Sequence, residues 1–206
     1  MRLTTSASAI AHLLIGSSVV WVVMANGGDQ QLKEPRDPGQ SQGRPTHVGD
    51  PIPKFDMDYF VGEWRFLGTV PDSPLGTGGD VTGTEVVRRV GDRPFYELTI
   101  TGQSPDGPFD GKGVLACLDA PTGQYAVRYE VTRGIALSRS GMLGGDLGGR
   151  YSQFWETPPF ERNGVTIRLR GQSFSSSPGM YRVKAQIGVD GNAFQDFGTT
   201  VYERQP

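Results

Sequence analysis

Between Trp64 and Arg204, apolar and polar residues alternate in runs of roughly 6 to 10, each ended by a Gly-, Asp- or Pro-rich break, about ten times over. Tyr125, Val127, Tyr129 and Val131 share one face of such a run, and Arg128 and Glu130 share the other. Tyr181, Val183, Ala185, Ile187 and Val189 repeat the arrangement. A period of two is that of an extended strand, whose side chains point alternately to opposite sides. The spacing predicts strands near 64–70, 81–90, 94–102, 110–118, 124–133, 135–143, 149–156, 164–173, 179–189 and 194–204. Gly91-Asp92-Arg93-Pro94, Asp119-Ala120-Pro121-Thr122-Gly123, Asn163-Gly164 and Asp190-Gly191-Asn192 carry the turn chemistry between them. Connections this short pair sequential neighbours. The predicted fold is therefore all-β, a single up-and-down antiparallel barrel of about ten strands, because closure removes the exposed edges of an open sheet.

The pattern differs upstream. Ala9 to Ala25 is an apolar stretch, predicted helical, and Leu3 to Gly28 carries no charge other than neutral His12. It reads as an export element, with two readings open: a signal peptide cleaved after Val23-Met24-Ala25, or a membrane anchor that stays in place. Either places the barrel outside the cytoplasm, periplasmic, extracellular or membrane-anchored, since Arg2 favours the cytoplasmic side. Residues 26–54 read as a disordered linker, rich in Gly, Gln and Pro with little to bury. Residues 55–206 are assigned to the barrel, and Phe55 to Val61 to a short helical turn that plugs one end.

Composition narrows the chemistry. The 206 residues carry a formal net charge of −2, which offers no basic footprint for nucleic acid. Thirty glycines and fifteen prolines fit many short strands joined by tight turns. Cys117 is the only cysteine, which excludes an internal disulfide and a thiolate metal cluster, and its strand setting suggests a buried, inert thiol. His12 and His47 are the only histidines and both precede the barrel, so it has no Ser/His/Asp triad and no His-rich metal site. No catalytic residue, metal or cofactor is expected. Gly144 to Gly149 lacks the spacing of a phosphate loop, and the Asp residues beside glycines suit Asx turns better than calcium.

Gly62-Glu63-Trp64 resembles the Gly-x-Trp signature that opens lipocalin-like (calycin) barrels, and Val201-Tyr202-Glu203-Arg204 resembles their last strand. Phe109 to Asp119, followed by Thr122-Gly123-Gln124-Tyr125, is similar to the central motif of the bacterial domain-of-unknown-function 1579 family. The resemblance covers about residues 55 to 204 and implies that Trp64 and Arg204 close the barrel bottom by packing and a cation–π contact. Nitrobindin-like relatives in the wider barrel group hold haem through a histidine, which this barrel lacks.

A barrel of about ten strands can enclose one small apolar or amphipathic ligand. Tyr125, Val127 and Tyr129 form the best-defined apolar face and are candidates to point inward, with Trp155 at the mouth; equally, these aromatics can simply fill the core. Glu97 either meets a ligand inside or lies on the solvated face, opposite Tyr96, Leu98 and Ile100. Three functions remain open: an exported small-molecule binder, a cofactor-free enzyme using Glu97 with a Tyr and an Arg, and an envelope interaction module with a filled barrel. Oligomeric state is not legible.

Overall fold

A computed structural model describes residues 54–120, 123–145 and 151–206. The predicted N-terminal helix and almost all of the predicted linker lie outside the described residues. A 3-10 turn, Met57–Phe60, precedes eleven strands: β1 (Gly62–Val70), β2 (Gly79–Arg89), β3 (Phe95–Ser104), β4 (Gly107–Ala120), β5 (Gly123–Thr132), β6 (Ile135–Gly145), β7 (Tyr151–Glu156), β8 (Phe160–Arg162), β9 (Val165–Ser177), β10 (Met180–Val189) and β11 (Gln195–Arg204). Neighbours pair antiparallel in the order β10-β11-β1-β2-β3-β4-β5-β6-β7-β9, and β9 pairs with β10, so ten strands close a ring. Strand β8, which the alternation does not predict, pairs only with the first residues of β9. It continues the line of β7 after the break at Pro158-Pro159, where proline removes two ladder donors.

The lower end is plugged as the sequence suggests. Asp56 caps the 3-10 turn by accepting from Asp58 N, and Asp58 in turn accepts from Tyr96 Oη at 2.9 Å and Arg89 Nη1 at 2.6 Å. Phe55 is tied to β5 by reciprocal amide bonds with Gln124, 2.6 and 3.1 Å long. These bonds seat Phe55, Met57, Tyr59 and Phe60 in one buried cluster with Trp64, Tyr151 and Tyr181. Trp64 is fully buried and donates Nε1–H to Phe60 O at 2.8 Å. The Arg204 guanidinium lies 4.3 Å over the Trp64 ring and donates to the carbonyls of Val61 and Tyr59. Residue 204 pairs with residue 64 across β1 and β11, so both side chains face the same way.

On β2 and β3, Gly83 and Gly102 sit opposite each other. A Cβ at Gly83 would stand 2.5 Å from the Phe66 ring, and one at Gly102 would stand 2.5 Å from the Phe109 ring. The missing side chains let two aromatic rings fill the upper interior beside these strands. A second buried cluster, Trp155, Ile167, Leu169 and Ile187, fills the opposite wall.

Candidate functional site in the lumen and at the loop end

The inner face starts from β3, where Tyr96, Leu98 and Ile100 are buried and Phe95, Glu97 and Thr99 are exposed. Tyr96 pairs with Leu115 on β4, and Leu115 with Arg128 on β5. Cross-strand partners in an antiparallel pair share a face. The lumen therefore receives Ala126, Arg128 and Glu130, while Tyr125, Val127 and Tyr129 face outward. This reverses the expected parity of β5, whose apolar face is the outer one. The physical reason lies on other strands: Glu85 of β2 and Arg139 of β6 supply the opposite charges that make it tolerable to turn Arg128 and Glu130 inward.

Those four side chains form one network. Arg128 grips Glu85 through Nη1 at 3.0 Å and Nη2 at 2.5 Å, and its Nε reaches Glu130 at 2.7 Å. Arg139 Nη2 donates to both Glu130 oxygens at 3.0 Å, and its guanidinium lies 5.1 Å over the Trp155 ring. Tyr181 Oη donates to Glu85 at 3.2 Å, and Glu85 is only 1% exposed. Burial alone would raise the Glu130 carboxyl, but the Arg128 and Arg139 guanidiniums outweigh it and hold it at about 2. Burial, then the Glu85 charge, push the Tyr181 phenol well above its usual range. Burial opposes the Arg128 charge, but Glu130 and Glu85 overcome it and hold the guanidinium protonated.

A carboxyl whose value falls on folding stabilises the fold above its unfolded value, and that contribution disappears as pH falls through the folded one. Glu130 should therefore contribute fully above about pH 5 and lose its contribution between there and about pH 2. Glu130→Gln should be less stable at neutral pH, with the gap to the parent closing over that window. Denaturant midpoints measured at several pH values read this directly, and a pH-independent gap would refute it.

The space left in the lumen is small. A void of about 30 Å³ lies among Glu85, Arg128, Arg139, Tyr151, Trp155 and Tyr202. That holds one or two waters, far below the roughly 300–1,000 Å³ of a small-molecule pocket. A larger cleft, about 820 Å³, opens at the other end from the plug. The β1–β2 loop, the β3–β4 turn, Thr132 to Gly134 and the β8–β9 turn frame it. These segments are cross-bonded: Thr77 N donates to Asp106 at 3.1 Å, Arg133 pairs with Asp106, and Asn163 Nδ2 donates to Pro74 O at 3.1 Å. Phe109 and Leu75 give the cleft apolar surface, with Lys112, Arg133 and Arg162 beside Asp72 and Asp110. Arg133 lies 5.7 Å over the Phe109 ring.

The structure does not bring the predicted ligand residues together. Glu97 is exposed on the outer face of β3, and Tyr129 is exposed on that of β5. Tyr125 also faces out and donates to Ser140 Oγ at 2.8 Å. Trp155 alone reaches the lumen, buried rather than at a mouth, with Nε1 donating to Ser173 Oγ at 3.0 Å. The expected meeting of Glu97 with a Tyr and an Arg does not occur; Glu85 instead meets Tyr181 and Arg128 beside the void of about 30 Å³. Sequence reasoning missed Glu85, Arg128, Glu130 and Arg139. Carrying the clear parity of β3 across two short connections would have found Arg128. Cys117 is buried, and burial followed by the Asp119 charge raises its thiol to about 11. Among the described residues, no group of three His, Cys, Asp or Glu side chains is arranged to hold a metal ion.

The chain matches no family model, so membership of the domain-of-unknown-function 1579 family is without support there. No curated protein matches either. Among solved structures it is similar to the crystal structure of Rv2717c from M. tuberculosis, at 18% identity and a TM-score of 0.57, covering 73% of this chain and 95% of that one. It also aligns with two redesigned β-barrels. For b11L5F_LGL the identity is 16% and the TM-score 0.41, over 73% and 95% of the two chains. For mFAP0, bound to DFHBI, they are 16% and 0.36, over 71% and 99%. At these identities the likeness to Rv2717c shows the fold alone: an all-β, closed ten-stranded antiparallel barrel.

Proposed function

We propose that this is an exported, non-enzymatic binding protein whose ligand, a small amphipathic molecule, sits in the loop-end cleft rather than deep in the barrel. The observation that carries the reading is the contrast in space: about 820 Å³ at the loop end against about 30 Å³ in the lumen. Mixed chemistry favours an amphipathic ligand, because Phe109 and Leu75 offer apolar contact while Arg133 and Arg162 can orient a polar head. The cross-bonds among the framing segments lower the ordering cost of binding. Export rests on the apolar run Ala9 to Ala25, and kinship with the domain-of-unknown-function 1579 barrels on the Gly62 to Trp64 and Phe109 to Asp119 motifs.

Native mass spectrometry of the full chain, purified gently from its source, tests the proposal. The expected result is a retained small-molecule adduct that Phe109→Ser largely abolishes. An adduct unaffected by Phe109→Ser would move the site elsewhere. A clean apo mass, with no saturable binding from a panel of single-chain amphiphiles, would overturn the reading.

A further inference from the structure

Strand register fixes the direction of Arg162. Phe160 of β8 pairs with Ile167 of β9, and Arg162 pairs with Val165. Ile167 is fully buried in the second core cluster, and Phe160 and Val165 pack against that cluster. Cross-strand partners share a face, as do alternate residues of one strand, so Arg162 points inward with them and lines the loop-end cleft. Glu161 points the other way and accepts from Thr166 Oγ1 at 2.5 Å. Arg162 is half-buried, and its Nε is shut off from solvent with no hydrogen-bond partner. Among the described residues it makes no ion pair and no ring contact. The other charges of the cleft are committed. Asp72 accepts from Gly78 N at 2.7 Å, while Asp106 accepts from Thr77 N at 3.1 Å and pairs with Arg133, which also covers the Phe109 ring. Phe109 pairs with Gly102 and faces inward, so Asp110 and Lys112, at the alternate positions of β4, face outward.

The geometry points to Arg162 as the residue that receives an anionic head group, and so to an apolar carboxylate, a medium-chain or aromatic acid, as the class of ligand in the cleft. This rests on the cleft being the binding site, as proposed above. A cation with a buried, unpaired donor is costly, because no partner offsets its desolvation. A ligand oxyanion supplies that partner: Nε and one Nη form a fork that takes both oxygens of a carboxylate. One uncommitted guanidinium balances one negative charge. A singly charged carboxylate therefore fits better than a phosphate monoester, whose further charge would stand against Asp72 and Asp106. Phe109 and Leu75 are left to meet the apolar body.

Calorimetric titration of the full chain with decanoate, decanol and decyl phosphate is the test. The variants are Arg162→Met, Phe109→Ser and Arg65→Met, the last removing a cation exposed on the outer face of β1. The parent should bind decanoate at least about tenfold tighter than decanol. Arg162→Met should abolish that preference while still binding decanol, Arg65→Met should keep it, and Phe109→Ser should weaken both ligands. Unliganded Arg162→Met should melt no lower than the parent, since it removes an unpaired buried donor. A fall of more than about 5 °C would mark Arg162 as a structural cation and overturn the assignment. Equal binding of decanoate and decanol by the parent, or a preference that survives Arg162→Met, would overturn it while leaving the cleft as the binding site. Tighter binding of decyl phosphate than of decanoate would overturn the singly charged head group. Binding of none of the three would overturn both the assignment and the cleft.

Discussion

Arg128→Leu should cost about 3–5 kcal/mol of stability, because it strands Glu85 in the lumen with only a phenol for company. Removing one partner of a buried ion pair forfeits the attraction while the desolvation of the survivor remains. A barrel of this size should then melt roughly 10–15 °C lower. The double variant Arg128→Leu, Glu85→Gln separates this cause from loss of packing. If the stranded charge dominates, neutralising it recovers a large part of the loss, and the double variant lies between the parent and the single variant. Urea midpoints of parent, both singles and the double measure the coupling. A double variant no better than Arg128→Leu alone would mean the guanidinium acts mainly by filling space.

The second large effect is expected at the plug. Trp64→Ala should cost about 3–5 kcal/mol, the range for deleting a fully buried tryptophan. The ring meets Tyr59 at 5.4 Å and Tyr181 at 4.9 Å, and Arg204 covers its remaining face. Deleting it therefore opens a cavity shared by the 3-10 turn, β10 and β11, which cannot all move to refill it. Trp64→Phe keeps most of the volume but leaves the Phe60 carbonyl without its donor, at about 1–2 kcal/mol. Denaturant midpoints should rank parent, Phe and Ala in that order, and equal losses from both variants would show that the hydrogen bond outweighs the packing.

The strands were legible because each alternates cleanly and ends on glycine, aspartate or proline. The predicted 64–70 run became Gly62–Val70 and the predicted 164–173 run became Val165–Ser177. What one strand cannot report is which of its faces is inside. On β3 the inner and apolar faces coincide, since Tyr96, Leu98 and Ile100 have no charged residue among them. On β5 hydrophobicity points the wrong way, because the cost of burying Arg128 and Glu130 is offset by Glu85 and Arg139 from strands remote in sequence. The candidate cleft was hidden for a related reason. It is made by turns brought together from four parts of the chain, and no single turn announces it.

The pairing of residue 64 with residue 204 also sets an order of events in time. Every other neighbour in the ring can form as soon as its strand leaves the ribosome, but β1 and β10 must wait for β11, the last strand of the ring in chain order. Until β11 has been made, β1 and β10 each offer unpaired backbone groups to any other chain at hand. Joining the two ends is also the contact with the longest loop to close, so it falls on the slow, aggregation-exposed side of folding. Loss of β11 would thus do more than remove a strand: it would leave the barrel permanently in its stickiest form.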